Sequence, residues 1–269
     1  MENNNWSAIT PSAAPYITSL LSQASYCTNY FDNPSGVHPS EPNYVWLEAG
    51  SNLGITSDAD PSATHVVTGP HLASLMNAKG VTWREYAENI TTGTCPIASS
   101  GLYAPKHVPF VFFTDIVGTT PSTTAASCVS HMKNYADIHA DLTNDSVAQY
   151  NFITPNLCND MHGATGCPST NEITQGDDWL KAEIPLIMAS NAYKNNGAIF
   201  ITWDESEGGE FPIGMIVLSP LAKGGGFVDS TKYYHSSMVR TVQEVFGLTP
   251  LLNDAANQSS LSALFNTYP

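Results

Sequence analysis

Two short segments carry side chains that could do chemistry together. Ser51 follows Gly50 at the end of the run YVWLEAG (residues 44–50), and Asp204 and Glu205 follow GAIFITW (residues 197–203). Both runs read as buried strands, and in open α/β sheets ligands gather beyond the carboxyl ends of strands. A serine hydroxyl there, beside backbone N–H groups, can hold an anion or act as a nucleophile. The serine-esterase elbow needs G-x-S-x-G, but Ala49 and Leu53 occupy the glycine positions, so that motif fails. A hydroxyl without a triad needs another activator, which metal coordination supplies. The adjacent carboxylates suit a cation with oxygen ligands, and WDESEGG adds Glu207 and two turn-forming glycines. Read locally, the acidic pair serves equally well as a loop cap, and serines after strands mostly cap helices.

The loop NLCNDMHG (residues 156–163) crowds Asp160 and His162 after another apolar run, where an Asx-turn cluster is the plain alternative. His38, His71, His162 and His235, taken singly, each read as hydrogen-bonded structural histidines. Nine Lys+Arg against 24 Asp+Glu give a formal charge of −15, which disfavours nucleic acid as a partner. The same charge repels anionic substrates unless a local cation offsets it, and a metal ion is the obvious one. No run approaches the roughly 18 apolar residues of a membrane span.

These groups need elements to hold them. Strands are expected over residues 44–50, 81–86, 149–154, 197–203 and 214–219, with a strand or short helix at 108–114. Helices are expected over 70–79, 177–195 with a kink or break at Pro185, and 235–246; residues 91–109 read as a long surface loop. Alternation of this kind predicts one α/β domain, a three-layer sandwich around a mostly parallel central sheet. Cys158 and Cys167 close a short Gly- and Pro-rich loop as a disulfide would, and Cys95 could pair with Cys128, leaving Cys27. Buried free thiols are the alternative; disulfides point to an oxidising, secreted or periplasmic setting with any leader absent from this sequence.

In order along the chain, MENNNW, HPSEPNYVWLEAGSNLGI, TPNLCNDMHG, GAIFITWDESEGG, GMIVLSPLAKGGG and YYHSSMVRTVQEVFGL resemble the bacterial and fungal phosphoesterases that include acid phosphatases and phospholipases C. The resemblance spans nearly the whole chain and implies an alkaline-phosphatase-like fold. It implies that Glu2, Asn3, Ser51, Asp204 and Glu205 hold a divalent metal of open identity, with Ser51 the nucleophile. It places His162 as the acid for the leaving group, and Asp160, His38 and His235 in or around the substrate pocket. In relatives an apolar strand of five or more residues precedes the Glu-Asn pair. Here one residue does, so the expectation is a trimmed or misassigned start rather than a sheet lacking an inner strand.

The expected activity is metal-dependent hydrolysis of small phosphate monoesters through a phosphoserine. The same centre could serve a phospholipase C or other phosphodiesterase, and a non-catalytic binder of phosphorylated ligands is the alternative outside catalysis. Acidity and the short chain disfavour stable association with anionic membranes.

Overall fold

The structure, a computed structural model, describes residues 1–268. Seven strands are β1 (Ser25–Cys27), β2 (Trp83–Ala87), β3 (Met132–Asn134), β4 (Tyr150–Thr154), β5 (Ile199–Thr202), β6 (Met215–Leu218) and β7 (Phe227–Asp229). The helices are α1 (Pro15–Leu20), α2 (Ser40–Ala49), α3 (Leu72–Lys79), α4 (Thr114–Val117), α5 (Ala126–His131), α6 (Ile138–Thr143), α7 (Glu172–Ala189), α8 (Asn191–Lys194) and α9 (His235–Phe246). The result is an α/β fold in which the strands form two sheets. One has the order β3-β2-β4 with every pair parallel; the other has the order β5-β6-β1-β7 and is mixed. The short return from β5 to β6 reverses the chain, which is why that pair is antiparallel.

The two sheets meet at the start of the chain. The Met1 ammonium donates to Thr202 O at 3.0 Å, and Asp204 N donates back to Met1 O at 2.9 Å. On the other side Glu2 N donates to Asp160 O at 2.7 Å. The segment carrying Glu2 and Asn3 is therefore laced between the end of β5 and the loop that follows β4. That is the crevice beyond the strand ends where ligands bind in open sheets.

One expected strand is a helix. Residues 44–50 belong to α2, and all ten residues of that helix are buried. A helix packed on every side loses the 3.6-residue alternation that marks an amphipathic one, so its apolar run imitates a buried strand. The boundaries were nevertheless written in the sequence. Pro39 occupies the N-cap, and Pro42, in the first turn, lacks an N–H that would have no partner there. Gly50 ends the helix at φ 64°, and a Cβ there would lie 2.9 Å from Leu252 O, so only glycine fits.

Elsewhere α9 covers residues 235–246 as read, and α7 runs unbroken through Pro185 to Ala189. Residues 109–112 form a 3₁₀ turn whose Phe110 and Phe112 are fully buried. One apolar core gathers α2, α3, α9 and these aromatics; a second gathers β1, β6, Trp203 and α1. Both expected disulfides form, Cys95–Cys128 and Cys158–Cys167, and Cys27 is a buried free thiol. The second closes the loop bearing Asp160 and His162, a constraint worth roughly 2.5 kcal/mol by loop-closure entropy. No helix among the described residues is long and apolar enough to cross a membrane.

Candidate active site and metal centre

The start of α2 aims Ser40, not Ser51, at the acidic residues. Ser40 is the first helical residue, and its hydroxyl donates to Glu2 Oε2 at 3.1 Å. Ser51 lies past the far end of α2, about 15 Å along the helix axis. Its Oγ accepts only the local N–H of Leu53, at 3.1 Å. The expectation that Ser51 stands among the metal ligands is therefore corrected: the run before it is helical, and the helix carries it away from them.

Around Ser40 the structure brings together Glu2, Asn3 and Asp204. Asn3 N donates to Asp204 Oδ1 at 3.1 Å, and Tyr44 O–H donates to Glu2 Oε1. Asn3 reaches this position with φ 39°, in the sparsely populated left-handed region. Glu2, Asp160 and Asp204 are almost wholly removed from water. Burial first, then the charges of Asp204 and Asp160, pushes Glu2 well above the carboxylate range; burial likewise raises Asp204. Ser40 moderates Asp204 as well, without closing a well-formed hydrogen bond to Oδ2.

Glu205 sits beside them, its Oε2 accepting Asn43 Nδ2 at 3.1 Å and paired with His38 Nδ1 at 2.5 Å. Burial and the Asp204 charge, against the pull of His38, push Glu205 up to about 7.

Three buried polar atoms in this cluster have no hydrogen-bond partner: Asn3 Oδ1, Asp204 Oδ2 and His107 Nε2. Orphaned acceptors among buried like charges are costly in a protein interior, and a cation relieves both defects together. The donors are mostly carboxylate, amide and hydroxyl oxygens, the set a hard divalent cation prefers. The residues present therefore fit a divalent metal.

His107 and Lys106 belong to the site although the spacing of motifs did not single them out. His107 is buried, with Nδ1 3.1 Å from Asp160 Oδ2 and Nε2 3.3 Å from Glu2 Oε2. Burial holds it well below the ordinary histidine range, so it is neutral. With the proton on Nδ1 facing Asp160, Nε2 presents a lone pair to the cavity, the usual arrangement behind a metal-binding histidine. Ligand atoms of Glu2, His107 and His162 all lie within 4.8 Å of one another. Lys106 pairs with Asp58 at 2.8 Å, and its Nζ is 3.4 Å from His162 Nε2. Burial depresses Lys106, but Asp58 and the acidic cluster more than restore it, so it stays charged. In a chain with nine Lys+Arg, a lysine next to a histidine in PKHVP was the available signal.

The remaining expected residues stand behind the ligands. His235 is fully buried, its Nε2 2.6 Å from the backbone carbonyl of Asp204 and its Nδ1 3.1 Å from Tyr30 O–H. Burial pushes it down to about 4, and it braces Asp204 instead of facing the cavity. Asp160 holds His107 and accepts the His162 N–H at 2.8 Å, and burial pushes it up to about 7. His38 supports Glu205, while His71 is buried against Phe113, hydrogen-bonded to Asp115. His162 is partly exposed beside Glu2 and His107, turned there by Met161 at φ 79°, and of the other expected histidines His38 is exposed.

These shifts set a pH dependence. Carboxyls whose folded pKa is raised stabilise the fold below their unfolded pKa, and that contribution is lost as pH rises through the folded value. Asp32, Asp160 and Glu205 at about 7, and Glu41 at about 8, act in this sense. The depressed His107 and His235 act oppositely, but only below the ordinary histidine pKa. Metal-depleted protein should therefore lose at least about 3 °C of Tm between about pH 6.5 and pH 8.5. Saturating divalent cation should reverse the loss; a Tm that stays level or rises without metal would contradict the electrostatic account.

Residues 3–249 match the Phosphoesterase family. A phosphatidylinositol-3-phosphatase of Mycobacterium tuberculosis is 29% identical over 249 residues, which cover 92% of this chain and 75% of that protein. A phosphate-repressible acid phosphatase of Penicillium chrysogenum is 28% identical, over 87% of this chain and 55% of its own length. An acid phosphatase of Aspergillus fumigatus is 29% identical over 86% of this chain and 50% of its own length, so the chain spans about half of these fungal relatives. Among solved structures, phosphonate monoester hydrolase of Agrobacterium radiobacter superposes with a TM-score of 0.59 at 12% identity, over 100% of this chain and 77% of that one. An alkaline phosphatase superfamily protein from Vibrio parahaemolyticus gives 0.58 at 9% identity, over 93% and 66%. Likeness at that identity speaks for the fold alone, which is similar to that of these alkaline-phosphatase-like proteins. The family match runs from the residue after Glu2 to beyond α9, and on that ground the chain belongs to the Phosphoesterase family, hydrolases acting on phosphoric ester bonds.

Proposed function

We propose that the chain hydrolyses small phosphate monoesters through a phosphoserine formed on Ser40, beside a divalent cation held by Glu2, Asn3, Asp204 and Glu205. The observation that carries this reading is the Ser40 hydroxyl at the start of α2, bonded to Glu2 and flanked by orphaned acceptors of Asn3 and Asp204. When bound, the cation lowers the pKa of an adjacent hydroxyl and screens phosphoryl oxygens from a chain of net charge −15.

The protein's own groups supply the rest. The Ser40 proton passes along its hydrogen bond to the Glu2 carboxylate as Oγ attacks phosphorus in line, and it returns to Oγ when water cleaves the phosphoserine. The positive end of α2 attracts the phosphoryl oxygens, while the Glu41 N–H there is taken by Asp58 Oδ1 at 3.0 Å. The charged Lys106 adds a protein cation at the mouth of the site. His162 donates Nδ1–H to Gly163 O at 2.9 Å, so Nε2 is the atom that takes up and releases a proton. From there it protonates the departing alkoxide, and once deprotonated it activates the water that cleaves the phosphoserine. Asp160 and His107 keep this side of the cavity in place.

Two disulfides favour an exported, oxidising location. The discriminating assay compares p-nitrophenyl phosphate with p-nitrophenylphosphorylcholine, with and without chelator. Chelator-sensitive hydrolysis of the first supports a phosphomonoesterase. Preference for the second makes the protein a phosphodiesterase with the same centre, and turnover of neither under several metals leaves a phospho-ligand binder.

A further inference from the structure

Beyond that centre, and independently of the phosphoesterase reading, a second group of ligand atoms converges on its outer side. Asp32, His38 and Glu210 present donor atoms all within 4.8 Å of one another. His38 Nε2 lies 2.7 Å from Glu210 Oε1 and 3.9 Å from Asp32 Oδ2. Asp32 is 1% exposed, and its Oδ2 has no hydrogen-bond partner. An acidic cluster at a surface needs no ion, but a buried carboxylate oxygen left unpaired and turned toward a histidine does need compensation.

The surroundings hold this geometry. Asn33 Oδ1 accepts the N–H groups of Ser35 and Val37, both at 3.1 Å, folding residues 33–37 into a turn that presents His38. Asp32 is anchored where its carbonyl accepts His235 N at 2.8 Å. Gly36 leaves room for Glu210, since a Cβ there would come within 2.7 Å of its carboxylate.

We propose that Asp32, His38 and Glu210 form a second divalent-cation site, bridged to the Ser40 centre through His38. Two carboxylates and one imidazole nitrogen suit zinc or manganese better than magnesium or calcium. The cation takes the Nε2 lone pair of His38 and a lone pair of the unpartnered Asp32 Oδ2, while Nδ1–H donates to Glu205. His38 then serves as ligand to one site and hydrogen-bonded support to the other, the common carboxylate–histidine–metal arrangement.

The test is equilibrium dialysis of metal-depleted, full-length protein against zinc, with elemental analysis of the retained metal. Asp32→Asn and Glu210→Gln should each retain one zinc fewer per chain than the wild type, and Asp204→Asn should lose a different one, so that Asp32→Asn/Asp204→Asn loses both. Glu210 is largely exposed, so Glu210→Gln keeps the test valid if Asp32→Asn fails to fold. Equal zinc content in the wild type and both outer variants overturns the second site. Loss on Asp204→Asn alone leaves the Ser40 centre standing without it; loss only in the outer variants does the reverse.

Discussion

Ser40→Ala is expected to lower kcat for p-nitrophenyl phosphate by about three orders of magnitude or more, and Ser51→Ala to leave it within about twofold. The contrast follows from which end of α2 each serine occupies. Ser40 meets Glu2 at the start of the helix, whereas Ser51 meets only its neighbour's N–H beyond the C-terminal cap. Alanine at Ser40 removes the oxygen that would carry the phosphoryl group, and no other hydroxyl takes its position. Structural damage should be small, because one methyl replaces one buried hydroxymethyl. The lost hydrogen bond costs about 1–2 kcal/mol of stability. Acid-quenched reactions with radiolabelled substrate should trap phosphate on Ser40 in the wild type and nowhere in Ser40→Ala. Retained turnover in Ser40→Ala, or a collapse in Ser51→Ala, would remove Ser40 from the nucleophile role.

The second large effect has opposite signs in two assays. Asp204→Asn should weaken divalent-cation binding by at least about 100-fold, since a direct ligand should matter more than an outer-shell partner. In metal-depleted protein near pH 8 the same change should raise Tm. Asn keeps an Oδ1 acceptor for the N–H of Asn3 and removes a buried charge that repels Glu2. His235 still grips the backbone carbonyl at this position, so the loop keeps its course. A merely disruptive substitution would lower Tm with and without metal. Differential scanning calorimetry with and without cation separates the two, and a lowered Tm in the depleted variant would show that Asp204 stabilises the fold without metal.

Several elements were legible because their residues report on local geometry. The strand before Asp204, expected to be buried but half-buried at a sheet edge, and the amphipathic α9 follow from periodicity, and the Cys158–Cys167 bridge from a short loop. The residue types in the site were legible too: Glu2, Asn3, Asp204 and Glu205 lie in one neighbourhood with His162 beside Glu2. Direction was not. His38, Asp160 and His235 are within reach of the centre, yet each grips a ligand or its backbone from behind. Nothing in their own flanking residues distinguishes a histidine facing substrate from one facing a carbonyl 31 residues away in sequence.

The sequence by itself determined the family and the α/β class, pointed to the disulfides and offered an oxygen-rich set of candidate metal ligands, because motif order, composition and short-range spacing survive without coordinates. Tertiary structure decided which serine meets them. That choice rests on α2, whose all-round burial erases the amphipathic pattern by which a helix announces itself. Once the segment is a helix, its N-terminal end and not its C-terminal end meets the acidic residues, and with about 15 Å between the two serines only Ser40 can touch Glu2.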